Sequence, residues 1–120
     1  MKQMEDKKIQ IEYKGHTYSL AFNINVVEAL QREFGSFDKW TDLIQPKEAG
    51  KETDLQALKF GFREAINEGI DIENEENGTD IEFLSMKQVG RIITEYGTDD
   101  AGKKLQEAVV KSVESDEKNA

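Results

Sequence analysis

The chain has 120 residues, 37% hydrophobic and 34% charged, and 25 acidic against 16 basic side chains leave a formal charge of −9. That length holds one core and little more, and the surplus of carboxylates repels phosphate backbones and acidic headgroups, which argues against nucleic-acid and membrane-surface binding. The absence of cysteine removes disulfides, thiolate nucleophiles and cysteine-ligated zinc, and no apolar run approaches the roughly 20 residues of a membrane span. A soluble, cytosolic chain is expected, with residues 1–8 a disordered leader, 9–113 a single domain and 114–120 a disordered tail.

Ile9, Ile11 and Tyr13 alternate with Gln10 and Glu12, and Tyr18, Leu20 and Phe22 repeat that alternation after Lys14-Gly15. Two period-two runs across a short glycine-containing turn predict a β-hairpin with one apolar face. A lone hairpin is marginal in water, so the helices that follow must cover that face.

Asn23 or Asn25 can cap a helix whose apolar positions are Val26, Val27, Leu30 and Phe34, ending at Gly35. Ser36 caps a shorter helix with Phe37, Trp40 and Ile44 on one face, and Pro46 stops it. After a Lys/Glu/Gly-rich loop, Thr53 and Gln56 form a capping box that opens a third helix with the stripe Leu55, Leu58, Phe62, Ala65 and Ile66, closed by Gly69. The acidic stretch IDIENEENGTDIEF, residues 70–83, reads as an exposed loop. Ser85 and Gln88 form a second capping box for a helix burying Met86, Val89, Ile92, Ile93 and Tyr96 before Gly97. Thr98 or Asp99 starts a last helix with Leu105, Ala108, Val109 and Val113 inward. The fold class is therefore α+β, mainly α: an N-terminal β-hairpin packed on four or five short helices.

Residues that could carry chemistry are sparse. Glu73, Glu75 and Asn77 alternate before Gly78 as in a calcium loop, but the twelfth position, counted from Glu73, is Leu84 where a bidentate carboxylate is required. A solvated turn around Asn77-Gly78 is the better reading. His16, the one histidine, is expected on a solvent-facing strand position, and no nucleophile-elbow sequence accompanies it. No phosphate loop or dinucleotide fingerprint occurs, so the residues by themselves assign no catalytic group, metal or cofactor. Phe60 breaks the pattern: at about 100° per residue it falls opposite the stripe of its own helix and meets the hairpin, a second subunit in a homo-oligomer, or a partner protein.

The order of these elements is more specific than any one of them. A strand pair, then INVVEALQREFGSFDKWTDLI, TDLQALKFGFREAINEGI and FLSMKQVGRIITEYG, covering residues 10–97, resembles the tail assembly chaperones of long-tailed phages and prophages of Gram-positive bacteria. The resemblance implies a small helical protein without catalysis or cofactor. Such a protein acts in the host bacterial cytoplasm, binds the tape measure protein while the tail tube polymerises around it, and is absent from the mature virion. Family members are often followed by a frameshifted extension that recruits tail tube protein. The family offers no residue list to transfer; a groove between the second and third helices, with Trp40 and Phe60 as partner contacts, is the expectation from their ring types and placement. The reading from another class is an acidic inhibitor that mimics nucleic acid toward a basic partner.

Overall fold

Lys14 and Gly15 have φ of +51° and +79°, the positive pair that a two-residue type I′ turn requires. They join β1 (Ile9–Tyr13) to β2 (His16–Leu20) in an antiparallel register that pairs Ile9 with Leu20, Ile11 with Tyr18 and Tyr13 with His16. The computed structural model describes the backbone of residues 9–119 and side chains as far as residue 112. The expected leader, residues 1–8, lies outside that range, as do Ala120 and the side chains of Val113 and the expected tail.

Because strand side chains alternate, the register places His16 on the apolar face beside Tyr18 and Leu20. The expectation of a solvent-facing histidine is corrected accordingly: His16 is half-buried, its ring 4.4 Å from that of Tyr18. Ile11 and Leu20 of the same face are buried.

Each of the next two helices starts on its own side-chain cap. Asn23 accepts from the amides of Asn25 and Val26 at the head of α1 (Ile24–Phe34), and Gly35 closes it. One residue later the Ser36 hydroxyl accepts from the Lys39 amide to start α2 (Phe37–Ile44). Asn23 also donates to the Glu68 carboxylate at 2.8 Å and Asn25 at 3.1 Å, tying the start of α1 to the next helix, α3 (Leu55–Asn77).

The sequence reading of α3 is corrected at both ends. Its cap is Asp54, which accepts from the Ala57 amide, whereas the Thr53 hydroxyl donates to the Ile44 carbonyl of α2. Leu55, expected in the stripe, is the first helical residue and is exposed. At the other end α3 passes through Gly69 and runs to Asn77, with Gly78 as its left-handed cap. An interior glycine costs a helix only about 1 kcal/mol, and here Phe62, Ala65, Ile66 and Ile70 continue one buried stripe across it. Gly69 answers a packing demand and not a turn: a Cβ there would collide with the carbonyl oxygen of Ser19 in β2. Beside it, the Ala21 amide donates to the Ala65 carbonyl at 3.0 Å, seating the hairpin on α3.

The loop that remains, residues 78–85, is strapped along α3 by two asparagines. Asn67 donates to the Leu84 carbonyl and accepts from its amide, and Asn74 does the same with Ile81, all at 2.8–3.0 Å. Seven residues apart, the two lie on one face of the helix, each presenting an amide that imitates a neighbouring peptide group. Ser85 and Gln88 then form the expected capping box of α4 (Met86–Tyr96), which buries Val89, Ile92 and Ile93. Met86 and Tyr96 are half-buried, and the Tyr96 hydroxyl bonds the backbone of Glu12 on the free edge of β1. After Gly97, α5 (Thr98–Asn119) buries Ala101, Leu105 and Ala108 and continues as helix past the expected domain boundary at residue 113. α3 is the axis of the assembly, touching β2 and each of the other helices.

Candidate partner-binding groove

Trp40 was expected on a partner surface; the fold puts it in the core. Its indole is fully buried, Nε1 donates to the Ala57 carbonyl at 3.0 Å, and Phe22 and Phe37 lie against it with ring centroids 5.9 and 5.7 Å away. The ring rests directly on Gly61, where a Cβ would collide with its six-membered ring and stand only 2.8 Å from Cε2. A short helix can approach α3 this closely because Gly61 carries no side chain. The amphipathic character that recommended Trp40 as a contact is explained internally: the apolar body fills the core and the N–H satisfies a buried carbonyl.

Phe60 is half-buried. Phe34 of α1 meets its ring edge-on at 5.5 Å, and the Arg63 guanidinium lies 5.3 Å from its centroid. Off the α3 stripe, the ring packs on α1 instead, and the two residues do not wall a common groove.

The hollow that the fold does form lies on another side, beside the seam between hairpin and α3. It encloses about 1000 Å³ and neither Trp40 nor Phe60 lines it. Leu20, Ala21 and Phe22 make its floor as the chain leaves β2, and Gln10, Thr17 and Ser19 add the polar face of the hairpin. From α1 come Asn23, Ile24 and Val27; from α5, Ala108, Lys111 and Ser112. The wall from α3 is Gly69, Ile72, Glu73 and Glu76, spaced i, i+3, i+4 and i+7 and therefore on a single helical face. That wall exists only because the helix does not stop at Gly69. Ile24 stands at the rim 80% exposed, the most exposed large hydrophobic residue among those described.

Glu73 lies in α3 as part of this wall, so the residues spaced like a calcium loop belong to a helix and not to a loop. Glu73 and Glu76 form no ion pair or hydrogen bond among the described residues, whereas Lys111 across the groove is engaged in an interaction of its own. The chemistry on offer is an apolar trough with two uncommitted carboxylates along one wall. Comparison with protein-family models, curated proteins and solved structures finds no match for this chain.

Sequence reasoning missed Ile24 and Ile72. A signal for both was present. Ile24 follows its cap residue out of phase with the Val26/Leu30 stripe, and Ile72 falls on the Gly69 face once residues 70–77 are treated as helix.

Proposed function

We propose that this chain is a non-enzymatic phage tail assembly chaperone that shields an apolar segment of the tape measure protein in the groove between the hairpin, α1, α3 and α5. The observation that carries the proposal is the groove itself: an apolar floor open to solvent with an unpartnered isoleucine at its rim, a surface suited to cover another chain's hydrophobic stripe. The order of elements that resembles this family supports the same role. A tape measure protein is long, helical and apolar along at least one face, and a small domain carrying −9 would keep the covered complex dispersed.

Among the described residues no helix is long and apolar enough to cross a membrane. Action in the host cytoplasm, absence from the finished particle, and contact with tail tube protein through an extension are parts of the proposed role.

Co-expression with the tape measure protein tests it. The wild-type chain should keep the tape measure protein soluble and be recovered with it. Ile24→Ser, at a site exposed in the free fold, should leave the chain folded while weakening recovery; losing one buried isoleucine costs about 1.5–3 kcal/mol, or roughly tenfold to a hundredfold in affinity. A tape measure protein that stays insoluble beside the folded wild-type chain would sink the proposal.

A further inference from the structure

We infer that the groove selects a cationic amphipathic helix: a segment that lays an apolar stripe on Ile24, Phe22 and Ile72 and carries lysine or arginine on the flank facing Glu73 and Glu76. This deepens the proposed function, since it rests on the groove being the binding surface, and it specifies what the bound segment must look like.

The argument is one of charge and shape. Glu73 and Glu76 stand about one turn apart on the same face of α3, both line the groove, and neither is committed to a cation among the described residues. Elsewhere on this surface the acids that matter to packing are occupied: Glu68 accepts from Asn23 and Asn25, and Glu64 pairs with Arg63. Closing the groove with an uncharged or acidic segment would desolvate these two carboxylates without compensation, which costs far more than pairing them. A lysine or arginine at each of two positions one turn apart on the incoming helix satisfies both, and it does so only when the apolar stripe of that helix faces the floor. The overall charge of −9 steers the same class of partner.

The test uses the full chain, methyl-labelled at isoleucine and methionine, and two synthetic helical peptides about 18 residues long, roughly 27 Å, one of leucine and lysine, the other of leucine and glutamate with the same stripe. The cationic peptide should shift the Ile24 and Ile72 methyl resonances saturably, and its affinity should fall with added salt; the anionic peptide should not bind. Partly exposed ion pairs contribute a factor of roughly 2 to 5 each, so E73Q/E76Q should weaken the cationic peptide roughly 4- to 25-fold and flatten its salt dependence. E48Q/E52Q removes the same charge from an exposed loop away from the groove and should change affinity less than twofold.

Equal binding of the two peptides, binding of neither, or equal weakening by the two double variants would overturn the inference. So would contacts from Met1 or Met4 methyls to Ile24 or Ile72 in the free protein, or concentration-dependent shifts of those methyls without peptide, which would make the chain's own N-terminus or a second copy the occupant. The two proposals fail separately. Capture of the tape measure protein undiminished by E73Q/E76Q removes the charge selection alone, whereas peptide selectivity without capture removes the chaperone role alone.

Discussion

Gly69→Ala should destabilise the protein by about 3 kcal/mol, although the same change in an exposed helix stabilises by about 1 kcal/mol through backbone entropy. The sign reverses because the added methyl would land on the Ser19 carbonyl oxygen, and the carbonyl carbon behind it would be only 2.9 Å away. Both atoms are backbone, so relief requires β2 to lift from α3. Opening that seam by about an ångström forfeits up to half of its contact attraction, an overpacking cost of about 1–3 kcal/mol. It also strains the 3.0 Å bond from the Ala21 amide to the Ala65 carbonyl, and leaving such groups unpaired costs about 1–3 kcal/mol. Subtracting the propensity gain of about 1 kcal/mol leaves roughly 1–5 kcal/mol, centred near 3. At roughly 4 °C per kcal/mol for a domain of this size, Tm should fall by about 12 °C. Urea unfolding followed by far-UV circular dichroism and by the fluorescence of Trp40 measures it. Gly102→Ala is the companion variant: α5 leaves nothing within 4 Å of a Cβ there, so it should gain about 0.5–1 kcal/mol. If Gly69→Ala matched or exceeded wild type and tracked Gly102→Ala, the seating of the hairpin on α3 would be wrong, and the groove beside that seam with it.

Two further substitutions separate core from surface. Trp40→Phe should cost about 2–4 kcal/mol, because it vacates part of the slot over Gly61 and leaves the Ala57 carbonyl without its indole donor; partner capture per folded molecule should be unchanged, and a selective loss of capture at full stability would return Trp40 to the binding surface. Asn67→Leu should cost about 2–4 kcal/mol by stripping both partners from the Leu84 peptide, with faster hydrogen exchange at the Leu84 amide as the local readout. Asn67→Asp, which keeps the acceptor for that amide and loses the donor, should fall between Asn67→Leu and wild type, and an Asn67→Leu variant with native stability and exchange would show that the strap bears no load.

Much of the architecture was legible locally. Helix starts at Asn23, Ser36 and Ser85 follow from side chains that satisfy amides two or three residues ahead, and the hairpin follows from alternation around a turn that needs positive φ. These signals work because donor, acceptor and strain all lie within one turn of chain. His16 was misplaced although the information was local: its parity with Tyr18 and Leu20 outweighs its polarity. The end of α3 was misread because a glycine that stops a helix and a glycine that admits a neighbouring strand are the same residue in sequence.

The chain's own order of residues determined the element types outside residues 70–77, nearly all their starts, most of the apolar stripes and the acidic surface, since each is set by short-range geometry and composition. Only the tertiary structure decided what lies across from what. It spent Trp40 on the Ala57 carbonyl and the Gly61 slot, folded Phe60 against Phe34, and strapped residues 81 and 84 to Asn74 and Asn67. It also opened a groove walled by segments from across the chain, Asn23–Val27, Gly69–Glu76 and Ala108–Ser112. A cap needs only its neighbours, but whether an exposed isoleucine or an unpaired glutamate becomes a binding surface depends on which distant segments pack beside it.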